Sequence, residues 1–174
     1  MGRRPVARDL RVLVNGRSAG LYRRAGSGAI SFSYDPDWLA DIQIRLSLSL
    51  PLREGPQSGP AVIAFFENLL PDNDALRRQI ADRMHATGTD PHALLAAIGR
   101  DCVGAMQFLP DGTDAGSPFR IDGEELDDAA IGALLSGLGR APLGMEEDAP
   151  FRISLAGAQE KTALLRWNGQ WVLP

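Results

Sequence analysis

Asp9-Leu10-Arg11-Val12-Leu13-Val14-Asn15-Gly16-Arg17-Ser18-Ala19-Gly20-Leu21-Tyr22 decides how this chain begins to fold. Leu10, Val12 and Val14 alternate with Arg11 and Leu13, which is the period of a half-buried strand. Asn15-Gly16 then supplies two residues that tolerate positive φ, as a two-residue hairpin turn requires. A β-hairpin is therefore expected from about residue 9 to 22. Ala29 to Tyr34 alternates Ile30, Phe32 and Tyr34 with small or polar residues, and Leu46, Leu48 and Leu50 alternate with Ser47 and Ser49 before Pro51. Both stretches read as strands. Ala61 to Leu70 is almost wholly apolar at helical spacing and is closed by Pro71. Asn73 caps a second helix, with Leu76, Ile80 and Met84 on one stripe and Arg77, Arg78 and Arg83 on the other. Asp90-Pro91 opens a third, carrying Leu94, Leu95 and Ile98 and stopped by Gly99. Val103 to Leu109 reads as a short strand. Strands and helices mixed in this way define an α+β class.

The composition is that of a globular protein: 174 residues, 44% hydrophobic and 23% charged. Eighteen basic against 22 acidic side chains leave a net charge of −4, which argues against a phosphate backbone as a direct partner. Cys102 is the single cysteine and His85 and His92 the two histidines, so neither a disulfide framework nor a zinc cluster is expected. Cys102 reads as a small core residue, and His85 as a helix-end complement to the dipole. This usage fits a reducing cytoplasm. No apolar run approaches the roughly 20 residues of a membrane helix, and the first residues lack a signal-peptide pattern. Apart from Lys161, every basic residue is arginine, so Lys161 stands out as a place where a compact ammonium does what a guanidinium does not.

Charge divides the chain. Residues 111–150 hold 2 basic and 10 acidic groups, and Asp111-Gly112-Thr113-Asp114-Ala115-Gly116-Ser117-Pro118 consists of turn residues. We read a first unit at 5–110, an acidic linker with a helix at 111–149, and a second unit at 150–174. The linker helix is placed at Leu126 to Leu138, with Asp127 and Asp128 at its positive end. Phe151 to Leu155 reads as a strand, Ala156 to Glu160 as a loop and Thr162 to Arg166 as a strand. Asn168-Gly169 turns into a last strand, Gln170 to Leu173.

Chemistry is concentrated in Phe151-Arg152-Ile153-Ser154-Leu155-Ala156-Gly157-Ala158-Gln159-Glu160-Lys161-Thr162. Small side chains at Ala156, Gly157 and Ala158 let backbone N–H groups approach a phosphate chain, on which Lys161 can set a point charge. From spacing alone an ordinary hairpin connection explains the stretch more simply, because small residues are common in turns. Ser154 has no histidine near it in sequence to activate it as a nucleophile. No catalytic residue and no metal ligand is assigned.

Leu46 to Leu52, Phe65-Phe66-Glu67-Asn68-Leu69-Leu70-Pro71-Asp72, Ile98-Gly99-Arg100-Asp101-Cys102-Val103-Gly104-Ala105 and the stretch 151–162 occur in an order and spacing that resemble HipA-type toxins. Those are serine/threonine kinases of bacterial type II toxin–antitoxin modules. The resemblance implies a HipA-type N-terminal subdomain at 5–110 followed by the first strands of a kinase-like N-lobe. It implies that Ala156, Gly157, Ala158, Gln159, Glu160 and Lys161 cover the phosphates of ATP, and that Ser154 is an autophosphorylation site whose modification displaces that loop. It further implies ATP and Mg in the complete kinase, with neither held tightly by this chain alone. The implied partners are a HipB-like helix-turn-helix antitoxin, a kinase C-terminal lobe, and a protein substrate such as an aminoacyl-tRNA synthetase. Phosphoryl transfer also needs a lysine on the following strand, a catalytic-loop Asp and metal-binding Asn and Asp residues. Only 13 residues follow Lys161, so residues 1–174 are expected not to transfer phosphate unaided. The alternative reading is a stand-alone regulator that neutralises a separately encoded kinase lobe.

Overall fold

The computed structural model describes residues 9–100, 102–117, 121, 123–137 and 163–173. The expected hairpin is present as β1 (Asp9–Val14) and β2 (Arg17–Arg24), joined through Asn15 at φ 49° and Gly16 at φ 75°. The register shifts between Val12↔Gly20 and Leu13↔Ser18, which leaves Ala19 as the extra, unpaired residue of a bulge in β2. β3 (Ile30–Tyr34) pairs with β2, the two-residue β4 (Gln57–Ser58) with β3, and β5 (Met106–Pro110) with β1. The resulting antiparallel sheet has the order β4-β3-β2-β1-β5.

Three helices cover one face of this sheet: α1 (Pro60–Glu67) meets β3 and β4, α3 (Pro91–Ile98) meets β5, and α2 (Asp74–Arg83) packs against α3. Their caps are the ones read from sequence. Asn73 Oδ1 accepts from the N–H groups of Ala75 and Leu76 at 2.8 and 3.1 Å, and Asp90 Oδ1 accepts from that of Ala93 at 3.2 Å. Leu10, Val12, Tyr22, Phe32, Phe66, Ile80, Leu94, Leu95 and Phe108 are buried between helices and sheet, and Cys102 joins them. The outer edge of β5 is closed by α3 and the turn after it: Phe108 N–H donates to Gly99 O at 2.7 Å and Cys102 N–H to Met106 O at 3.1 Å. Pro110 has no N–H to present there, so β5 offers little to a foreign strand.

The expected strand at Leu46–Leu50 is instead a tight turn closed by an isolated Ser47–Leu50 bridge. The leucine–serine alternation imitates a strand, but the Ser47 hydroxyl accepts from Ser49 N–H and thereby satisfies the backbone locally. Leu48 is 84% exposed while Leu50 is fully buried. α1 ends at Glu67, before Leu70, because Leu69 and Leu70 tighten into three-residue turns that carry both side chains into the core. Val103–Ala105 forms a 3-10 turn, so the last strand of this sheet starts only at Met106.

A second antiparallel sheet contains β6 (Glu124–Leu126), β7 (Leu165–Trp167) and β8 (Gln170–Leu173) in the order β6-β8-β7. Asn168 at φ 50° and Gly169 at φ 86° make the β7–β8 turn that the sequence predicts. α4 (Asp128–Gly137) follows β6, and Asp127 Oδ1 caps it by accepting from Ala130 N–H at 2.7 Å. Leu126 therefore belongs to β6, and the helix expected from Leu126 starts at Asp128. The expected strand Phe151–Leu155 and the loop after it lie outside the described residues.

Gly99 is required by packing. A Cβ there would lie 2.4 Å from Leu95 O and 2.6 Å from Phe108 Cβ. Gly99→Ala is expected to destabilise the protein by about 2 kcal/mol or more, the scale of overpacking and strain in a core, which urea unfolding will measure.

Candidate functional site

Ser154 and Ala156, Gly157, Ala158, Gln159, Glu160 and Lys161 all lie outside the described residues. The structure does describe the hairpin C-terminal to them. On it Leu165 faces Val172, Arg166 faces Trp171 and Trp167 faces Gln170. Val172 is buried, whereas Trp167 and Trp171 are 51% and 39% exposed. The Arg166 guanidinium stands 5.9 Å from the Trp171 ring centroid, within reach of a cation–π contact. The hairpin thus offers aromatic surface beside a cation, immediately downstream of the only lysine.

The other stretches that resemble HipA-type sequences are built into the first unit as braces. Tyr34 Oη accepts from Leu46 N–H and donates to Leu50 O, both at 2.9 Å, closing the 46–50 turn from inside. Trp38 Nε1–H donates to Ile44 O at 2.7 Å and Gln57 Nε2–H to Pro51 O at 3.0 Å, so two more buried side chains hold the backbone on either side of that turn. Phe66 stacks on Tyr22 with ring centroids 3.8 Å apart. Glu67 accepts from Arg77 Nη1 at 2.7 Å, and Arg77 Nε donates to Pro71 O at 2.6 Å. That pair locks the α1–α2 corner and draws Arg77 inward, off the polar stripe on which its spacing placed it. Asp90 both caps α3 and accepts from Arg24 Nη1 at 2.9 and 3.0 Å, tying β2 to that helix.

Sequence reasoning did not find these two arginine–carboxylate ties, whose partners are 10 and 66 residues apart; no periodicity signals them. His92 is buried on α3, with its ring 5.2 Å from that of Tyr22, and His85 is exposed at φ 53° just past α2. Among the described residues no three His, Cys, Asp or Glu side chains are grouped to hold a metal ion, and no helix is long and apolar enough to cross a membrane.

The fold places the chain in a class. Over 94% of its length it superposes, with a TM-score of 0.62 and 20% identity, on 37% of a chain from the Shewanella oneidensis MR-1 toxin–antitoxin complex of HipA, HipB and operator DNA. The class is a HipA-like α+β fold. The chain belongs to the HipA N-terminal domain family, whose model matches residues 10–109. It is 34% identical over 173 residues to the Sinorhizobium fredii protein named "Putative kinase Y4mE", a match that covers 97% of this chain and 41% of that protein. The chain thus spans about two fifths of the length of each of these two relatives. A Haemophilus influenzae protein named "Uncharacterized protein" is 30% identical over 105 residues, covering 60% of this chain and 94% of its own length.

Burial, reinforced by the nearby Asp90 and Glu67 carboxylates, pushes the Tyr22 phenol well above its ordinary value near 10. Above pH 10 the unfolded chain loses this proton while the folded one keeps it, so stability falls as pH rises. In Tyr22→Phe the fall between pH 10 and 12 should be shallower, as read from thermal midpoints across that range.

Proposed function

We propose that the chain is the N-terminal part of a HipA-like protein serine/threonine kinase of a toxin–antitoxin module. The extent of the likeness carries this reading: the match to the Sinorhizobium protein runs over 97% of the chain, and so includes residues 154–161 beyond the N-terminal domain. In this reading Ala156 to Lys161 cover the ATP phosphates, the backbone N–H groups and the Lys161 ammonium meeting the phosphate oxygens. Magnesium and ATP belong to the complete kinase. Ser154 is the regulatory autophosphorylation site. A phosphate there adds about −1.5 to −2 charge beside a loop that holds phosphates, so the modified loop and ATP repel each other.

The partner is a HipB-like antitoxin, in keeping with the HipB present in the Shewanella assembly. The substrate is a protein such as an aminoacyl-tRNA synthetase, and the compartment is the cytoplasm. A second reading is favoured by one observation. The Haemophilus relative is matched over 94% of its length by a stretch no longer than the first unit, so a domain of this type occurs as a short protein. Such a protein would be a non-enzymatic regulator that binds a separate kinase lobe.

In the complete kinase, Lys161→Ala is expected to weaken ATP binding by about tenfold or more, the worth of one charge-assisted phosphate contact, measured by calorimetry. Ser154→Ala should abolish the phosphate mass added at that position on incubation with ATP and magnesium. Residues 1–174 alone should transfer no phosphate to a generic substrate, and robust transfer overturns the reading of this chain as catalytically incomplete. A pull-down that captures a separate kinase lobe and no antitoxin favours the regulator.

A further inference from the structure

The chain does not leave the first sheet when β5 ends. Three consecutive carbonyls beyond Pro110 are each received by a side chain from a different element. Arg11 Nη2 on β1 donates to Thr113 O, Arg100 Nη1, just past α3, donates to Asp114 O at 3.0 Å, and Gln107 Nε2 on β5 donates to Ala115 O at 3.4 Å. In the β1–β5 register Arg11 lies opposite Leu109, and Leu13 opposite Gln107. All four therefore occupy the face turned away from the helices, where Leu13 and Leu109 are buried.

The segment also holds its own shape. Thr113 N–H donates to Pro110 O at 3.1 Å. The carboxylates of Asp111 and Asp114 accept from Gly112 and Gly116 N–H at 3.0 and 3.2 Å. Gly112 at φ 77° and Gly116 at φ 73° occupy the left-handed region at either end. Arg11 and residues 111–115 together line an open cleft of about 420 Å³.

We propose that residues 111–117 are a releasable strap, latched across β1 and β5 by side chains alone, whose opening lengthens the tether to the second sheet. No ladder hydrogen bond joins it to β1 or β5 among the described residues, so it lifts without breaking the sheet. Its latches are also weak for arginine. Both guanidinium groups meet neutral carbonyls, and neither forms an ion pair among the described residues. Among the described residues Arg11 Nε is buried with no hydrogen-bond partner, so within that set the guanidinium is fastened to the segment through Nη2 alone. Opening frees seven residues, which adds roughly 20–25 Å of extended reach. Arg100 is the latch whose loss costs the core least, because its side chain is exposed.

The test is native-state cleavage of the full chain by a protease that cuts before aspartate, with fragments identified by mass. When closing is fast, cleavage reads the open population. Arg100→Ala should speed cutting before Asp114 by about tenfold, the worth of one such hydrogen bond in the opening equilibrium, and Arg11→Met should act in the same direction. Cutting before Asp74 and Asp82 in α2 should keep its wild-type rate. Equal rates at Asp114 in wild type and both variants overturn the proposal. So does acceleration at Asp74 and Asp82 in step with Asp114, which would make the strap part of the core's own unfolding unit.

Discussion

Phe66 occupies the place where α1 meets the sheet, and the first unit is arranged around it. Its ring is fully buried, stacks on Tyr22 of β2, and meets Phe32 of β3 and Phe108 of β5 at centroid distances of 5.9 Å. A buried aromatic removes about 150–250 Å² from water and adds ring contacts that depend on angle. The three contacting rings come from different strands, so the position of this one side chain couples strand register to helix placement. α1 stops at Glu67, one residue after Phe66, and Leu69 and Leu70 enter the same core from the adjoining turn.

Around that centre the polar ties supply a directionality that apolar packing lacks. Arg77 with Glu67 and Pro71, Arg24 with Asp90, and Tyr34 with the 46–50 turn each join segments distant in sequence. Buried or partly buried bonds of this kind, charge-assisted where an arginine donates, satisfy groups that would be costly to leave alone. This gives the motifs that resemble HipA-type sequences a physical meaning in the first unit: Phe66, Glu67, Leu69, Leu70 and Gly99 are braces of a scaffold. The chemistry proposed for the chain rests on Ser154 and Ala156 to Lys161, which lie outside the described residues.

Backbone grammar was legible wherever a local rule sufficed. Asn15-Gly16 and Asn168-Gly169 both turn hairpins, and Asn73 and Asp90 both cap helices, because the side chain that signals each feature also makes the bond or adopts the φ. The misreadings share a cause. Leu46 to Leu50 has the period of a strand, yet Ser47 and Tyr34 satisfy its backbone as a turn. Arg77 has the spacing of a solvent-facing residue, yet Glu67 and Pro71 O draw it inward. For the candidate site, sequence supplied the residues and their order, through small side chains and a lone lysine, while the exposed Trp167 and Trp171 and the cation over Trp171 became visible only in the folded hairpin.

The sequence by itself determined the α+β class, the hairpins, the caps and the family likeness, because each depends on residues within a few positions of one another or on motif order along the chain. Tertiary structure alone decided the sheet order, the closing of β5 by Gly99 and Cys102, the arginine–carboxylate ties and the seating of residues 111–117. Those depend on which distant groups are brought within hydrogen-bond reach once the Phe66 core has formed, and a linear pattern carries no record of that distance.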